Sequence, residues 1–252
     1  MSDEFLFKYT PIPKGSKPIT GEEWEEIALV RLDKCQMELK EAVWEVIRMY
    51  CKTDRQQVAI RYVDQVLAES DNPEEKARCY LAMGCIMEQI EDFSSAISYY
   101  SQALHLEPMS NSTWYFIHNN LGFCLNHFGR CKEAERYCRT AIEIDPGRYN
   151  AKKNLAISLE GQGHYAAAAR CYIEAVRSEA SDSRALRHLE SLLENHPEIR
   201  AEIPEINDQL EVCRNAVNAV EREHEERLRE AADGGKSGLK CPTSGVRPGP
   251  SI

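Results

Sequence analysis

Three stretches of this chain can be laid over one another residue by residue, and this constrains the fold more than anything else in it. The first reads Tyr80, Met83-Gly84, Met87, then Ala96, Tyr100, Ala103 and Pro108. The second reads His118, Leu121-Gly122, Leu125, then Ala134, Cys138, Ala141 and Pro146. The third reads Lys152, Leu155-Ala156, Leu159, then Ala168, Tyr172, Ala175 and Ala180. From the second copy to the third every element moves by 34 residues (122 to 156), and from the first to the second by 38 (84 to 122). A period of this length marks a chain built from small units, each burying its apolar face only by stacking on the next.

Each copy reads as two antiparallel helices. The small residues Gly84, Gly122 and Ala156 on the first helix, and Ala96, Ala134 and Ala168 on the second, mark where the helices approach closely. Met87, Leu125 and Leu159, with Tyr100, Cys138 and Tyr172, lie at helical spacing and fill the space between. Pro108 and Pro146 end the second helix, because proline lacks the donor that would continue it. Gly129 and Gly163 fall in the turn within a pair. The four extra residues of the 38-residue step, around Met109–Thr113, read as a longer loop.

This arrangement resembles the tetratricopeptide repeat family, which carries Leu-Gly on a first helix and Ala, an aromatic and Pro on a second. The family's first-helix Trp is replaced here by Tyr80, His118 and Lys152. The resemblance implies an all-α fold, a right-handed α-solenoid of helix-turn-helix repeats with a long N-terminal helix and C-terminal capping helices. The expected organisation is an irregular segment at 1–19, a divergent helix pair at 20–72, repeats at 77–110, 115–148 and 149–182, capping helices at 183–232 and a disordered tail at 233–252. Thr20 and Glu23 form a capping box opening a helix to about Tyr50. A second helix from Arg55 to Glu69 carries Ala59, Val63 and Val66 at the spacing of Ala96, Tyr100 and Ala103. After the repeats, Arg184 to Asn195 reads as one more helix, ended at His196-Pro197. The last helix, from about Pro204 to Ala232, has a short apolar seam of Ile206, Leu210, Cys213, Val217 and Val220. It reads as folded back over the third repeat, with a short coiled coil or partner helix as the alternative.

In such a stack the first helices line a concave face. The inward positions give a candidate peptide-binding set of Arg78, Phe116, Asn119, Asn120, Phe123, His127, Asn150, Lys153 and Asn154. Asn120 and Asn154 are equivalent, and an amide offers a peptide backbone both donor and acceptor. Phe116 and Phe123 would supply apolar area for an anchor. Changing both asparagines to alanine is expected to weaken binding and leave melting intact. One subfamily clamps a C-terminal carboxylate with Lys, Asn and Arg. Here Asn120 matches its central Asn, but Leu81, Cys85, Asn150 and Asn154 hold the other places, so the positive clamp is missing. A one-repeat shift gives Asn119, Phe123, Asn154, Arg184 and His188, which still lacks two residues.

Composition narrows the function. A formal net charge of −10 over 252 residues argues against nucleic acid as partner. Residues 1–20 hold no signal-peptide core and no window approaches a membrane span, so the expected setting is cytoplasmic, away from membranes. The ten cysteines form no Cys-x2-Cys pair and read as structural free thiols, with Cys85 and Cys241 the most accessible. The seven histidines are scattered; His127 and Cys85 or Glu88 are spaced to meet each other across the groove, but His127 reads first as a satisfied or solvated histidine, and no phosphate loop or nucleophile elbow is present. The sequence therefore reads as a non-enzymatic adaptor, scaffold or co-chaperone, with no cofactor or metal, holding a peptide or helix of another protein. The alternative is a redox-responsive regulator whose thiols gate binding.

Overall fold

The structure is a computed structural model that describes residues 56–234, with side chains as far as Arg229. The expected segment 1–19, the Thr20–Tyr50 helix and the tail beyond 234 lie outside the described residues. Among the described residues there are ten helices and no strand: α1 Gln56–Glu69, α2 Pro73–Gln89, α3 Phe93–His105, α4 Asn111–His127, α5 Cys131–Ile144, α6 Tyr149–Glu160, α7 Tyr165–Ser178, α8 Arg184–Asn195, α9 Ile199–Glu202 and α10 Ile206–Gly234. Consecutive helices from α1 to α8 pack on one another, and the first helices α2, α4 and α6 also touch. The chain is an all-α solenoid.

Local chemistry sets the helix ends. Asn72 caps α2 by accepting from the Glu74 amide, with Pro73 in the first turn, and Asp92 caps α3 by accepting from Ser95. The turn inside each pair needs one left-handed residue, whose successor's amide reaches back five residues to close the preceding helix. Gly129 (φ 68°) and Gly163 (φ 79°) serve there, with Arg130 N donating to Leu125 O and His164 N to Leu159 O. In the first repeat the same place is held by Glu91 at φ 62°, where Asp92 N donates to Met87 O. A side chain is thus carried where its neighbours use glycine.

The four extra residues do not lengthen the loop. All four form an added N-terminal turn on α4, which starts at Asn111, four residues ahead of the place equivalent to Tyr149; the connection 106–110 exceeds 145–148 by one residue because α3 ends one residue earlier in the repeat than α5. The turn is stable because it is capped and tied down. Ser110 Oγ accepts from Thr113 N, while Glu74 of α2 accepts from Met109 N (2.7 Å), Ser110 N (3.2 Å) and Thr113 Oγ1 (2.8 Å). Four residues equal one helical turn, so the insertion keeps the downstream face in register.

Packing follows the repeated positions. Ala96, Tyr100, Ala103, Ala134, Cys138, Ala141, Ala168, Tyr172 and Ala175 are all fully buried. A methyl group on Gly84 would lie 2.2 Å from the Tyr100 ring, and one on Gly122 would lie 2.4 Å from Cys138 Sγ. These glycines are there for space. Ala59 and Val63 of α1 are fully buried and join the Met83 and Ile86 side of α2, extending the pattern towards the N-terminus.

At the other end α8 continues the array. Leu189 and Leu193 stand 34 residues after Leu155 and Leu159 and are buried like them. Ile206, Leu210, Cys213 and Val217 of α10 fold back into the core shared with α7 and α8. The apolar seam ends there: residues 221–229 are all exposed, and Arg227–Glu223 and Arg229–Glu225 pair along the helix. α10 runs on to Gly234, two residues past its expected end.

Candidate functional site

The strip formed by α2, α4 and α6 carries the residues singled out from the sequence, but in two very different states. Its floor is a continuous chain of hydrogen bonds crossing three repeats. Tyr100 Oη donates to Glu88 Oε1 (2.6 Å) and accepts from Asn120 Nδ2 (3.2 Å). Asn119 Nδ2 donates to Asn120 Oδ1 (2.9 Å), and Asn154 Nδ2 donates to Asn119 Oδ1 (3.0 Å). Asn126 Nδ2 and Ser158 Oγ both donate to the Asn154 carbonyl (2.8 and 2.9 Å), and Ser158 Oγ also lies 2.8 Å from Asn126 Oδ1. Asn120 is 9% exposed and Asn154 3%. These amides hold neighbouring repeats together instead of facing solvent.

That placement alters the expectation for the asparagine pair. Removing Asn154 leaves the buried Asn119 acceptor unmet, and removing Asn120 does the same to Tyr100, so both changes cost stability. Melting will not stay intact in the double variant. Burial does call for an amide here, because stacking repeats brings polar groups together that only a donor–acceptor side chain can join.

The partners Glu88 and Tyr100 were not among the expected site residues. Their equivalents in the third repeat make the same bond, Tyr172 Oη to Glu160 Oε2 at 2.7 Å. In the second repeat Asn126 and Cys138 stand at these places. Both Tyr-Glu pairs are twelve residues apart, so comparing the copies for polar as well as apolar positions exposes the device. Burial pushes the Glu88 carboxyl up to about 7, against the pull of the hydrogen bonds from Tyr100 and from Cys124 Sγ (3.4 Å).

The other residues divide as follows. Phe116 is buried under the Arg148 guanidinium, whose Cζ lies 4.8 Å from its ring centroid, and beside Tyr115. Phe123, 36% exposed, meets Phe93 edge-on at 5.9 Å. His127 is exposed and stacks on Phe93 at 3.9 Å, with Phe128 edge-on to it. The aromatic partner for His127 is therefore Phe93, where the sequence offered Cys85 or Glu88. Arg78 and Asn150 are half-buried, and Lys153 is buried at 7% exposure. Burial, with Arg184 nearby, pushes the Lys153 amine down to about 8.

The thiols give the redox alternative no help. Cys79, Cys124, Cys138 and Cys213 are buried, while Cys85, Cys131 and Cys171 are half-buried. Burial pushes the Cys79 and Cys138 thiols up to about 12 and that of Cys171 to about 11, away from the thiolate a sensor needs. Cys85 sits at 3.5 Å from both Tyr100 Oη and Asn120 Nδ2. Cys241 lies outside the described residues. Among the described residues no group of three His, Cys, Asp or Glu is placed to hold a metal ion. No helix among them is long and apolar enough to cross a membrane.

Comparison with known proteins accords with this architecture. Tetratricopeptide repeat family models match residues 77–108, which are α2 and α3, and residues 153–189, which run from α6 through α7 into α8. Among curated proteins, the BBSome complex member BBS4 homolog of Drosophila melanogaster is 28% identical over 131 residues, 52% of this chain and 26% of that protein. The peroxisomal targeting signal receptor of Eremothecium gossypii is 29% identical over 126 residues, 50% of this chain and 21% of that protein. The match thus spans only about a quarter of either relative. Two solved structures share the fold. YrrB, a TPR protein with an unusual peptide-binding site, covers 80% of this chain and 100% of its own at TM-score 0.52 and 16% identity. MamA (41 to end) from Desulfovibrio magneticus RS-1 covers 77% and 96% at TM-score 0.51 and 15% identity. Matches at both ends of the array, on the 34-residue period and buried small residues already described, show that this chain is a tetratricopeptide-repeat protein.

Proposed function

We propose that this chain is a protein-interaction module, an adaptor or scaffold that receives a peptide or helix of another protein along α4 and α6. The observation that carries the reading is the division of the concave strip. Its floor is locked by amide hydrogen bonds, while Phe123 and His127 gather around Phe93 with part of their surface open, and Asn150 and Lys153 make no hydrogen bond among the described residues. A rigid floor with an aromatic edge and a cation is pre-organised to bind, which lowers the ordering cost of association. YrrB, a TPR protein with an unusual peptide-binding site, and the peroxisomal targeting signal receptor point the same way. The role is binding and not catalysis, in a cytoplasmic setting.

The test is site-specific photocrosslinking in cells. A benzoylphenylalanine at Phe123 should capture a partner that the same probe at Ser101, on the exposed face of α3, does not. Equal capture at both positions, or capture at Phe123 that survives a Lys153→Met plus His127→Ser change undiminished, would place the partner elsewhere.

A further inference from the structure

Lys153 is an inward residue whose charge the fold leaves unmet among the described residues. Its equivalents are Leu81 and Asn119, so an apolar side chain or an amide serves this place in the other repeats. A buried cation is costly unless an acceptor meets it. Lys153 is buried, yet among the described residues it has neither a hydrogen bond nor an ion pair. Asp182 is the acid whose charge it feels, but that carboxylate is already taken: Arg184 grips it through Nε (2.8 and 2.9 Å) and Nη2, and Tyr149 Oη donates to it at 2.7 Å. Glu160, the other acid on this side, accepts from Tyr172. His188 feels the Glu160 carboxylate first and then Lys153, Arg187 and Arg184, so this end of the groove sets three cations against the two acids Glu160 and Asp182, both of which already accept hydrogen bonds. Beside Lys153, the Asn154 Oδ1 acceptor is buried and, among the described residues, without a donor.

We propose that Lys153 anchors a side-chain carboxylate of an acidic protein segment bound on the concave face at α6 and α8. This rests on the groove reading above and adds the partner's chemistry. A side-chain carboxylate fits better than a chain terminus or a phosphate, which call for a fork or several donors. The Arg184 fork is closed on Asp182, and Arg148 is bonded to Asp145 (2.7 Å) and lies over Tyr115 and Phe116. Among the described residues Lys153 is the buried cation of this strip left without an acceptor, a point charge matched to one Asp or Glu.

The experiment is an amide NMR titration of the isotope-labelled full chain with three probes. They are an acetylated, amidated octapeptide of alternating Ala and Glu, its Gln analogue in the same blocked form, and the Gln analogue with a free C-terminal carboxylate. The Glu peptide should shift residues 150–157 and 184–188. Its affinity should fall about tenfold or more in Lys153→Met, as expected for a hydrogen bond to a charge, and recover in Lys153→Arg. The Gln peptide should bind weaker by the same factor. The Met variant's own amide spectrum shows whether it is folded, and Lys153→Gln replaces it if not. Equal binding of the blocked Glu and Gln peptides in the groove overturns the carboxylate anchor and keeps groove binding. Shifts there only with the free carboxylate replace the side chain by a chain terminus. No groove shifts with any peptide sink both readings.

Discussion

Replacing Lys153 by methionine removes a buried positive charge while keeping a flexible chain of similar length, so the folded protein should become more stable. The size follows from the site. Lys153 is pushed down to about 8 in the folded chain, against an ordinary lysine near 10.5. The folded state therefore holds the proton less well than the unfolded state, and the charged form is penalised. The penalty is fully present below the folded value, shrinks as pH rises from about 8 to 10.5, and vanishes above. A difference of 2.5 in pKa corresponds to about 3 kcal/mol at pH 7. At pH 9.5 roughly 1 kcal/mol of it should remain. Urea denaturation of wild type and Lys153→Met at both pH values measures this directly, and unchanged slopes would show that both chains expose the same surface on unfolding. In thermal melts the pH 7 gain amounts to roughly 6 to 12 °C for a chain of this size. No gain at pH 7, or a gain identical at pH 9.5, would refute the claim that the cation is buried and unpaired. A gain in stability joined to a loss of acidic-peptide binding is the signature of a residue kept for its partner.

Three further outcomes follow from geometry. Glu91 holds a left-handed backbone that Gly129 and Gly163 adopt without strain, so Glu91→Gly should stabilise by about 1 kcal/mol in denaturant melts, and a loss would mean the side chain has a role. Gly84→Ala drives a methyl to 2.2 Å from a Tyr100 ring fixed by its bonds to Glu88 and Asn120, and should cost about 1–3 kcal/mol; a neutral result would mean that the ring can move. Glu88, raised to about 7 by burial, contributes stability that is fully present below its ordinary pKa and lost as pH climbs through 7. Glu88→Gln keeps the acceptor for Tyr100 and should pull ahead of wild type by about 2 kcal/mol between pH 5 and pH 8, whereas parallel pH profiles would show that the carboxyl is solvated.

The acidic and basic perturbations occupy separate pH windows, which makes them separable in one chain. Glu88 acts between its ordinary carboxylate range and about 7, at the junction of the first and second repeats. Lys153 acts above about 8, at the junction of the third repeat and α8. They also belong to opposite ends of the same strip. Glu88 is coupled through Tyr100, Asn120 and Asn119 to Asn154, the residue next to Lys153. Stability measured against pH therefore reports on the floor of the groove from both ends.

The residues that define the repeat could be read from the chain alone because helical periodicity is local. A small residue at 84 or 122 and an alanine at 96 or 134 state which faces meet, and the structure buries them as that pattern requires. The turns at Gly129 and Gly163 and the fold-back of Ile206 to Val217 were legible for the same reason, although the left-handed backbone of those turns comes from the structure. The four extra residues were misread because length alone does not distinguish a loop from one more helical turn. The Glu74 carboxylate, 35 residues before Met109 in the chain, decided that. The asparagines show the limit most clearly. Their position on the inner strip follows from sequence, but whether an amide there faces a ligand or a neighbour depends on how closely α4 and α6 stack. That distance is set by side chains on other helices. The sequence determined which surfaces are buried; only the tertiary structure decided that Asn119, Asn120 and Asn154 bond to one another, and that Lys153 beside them has no such partner among the described residues.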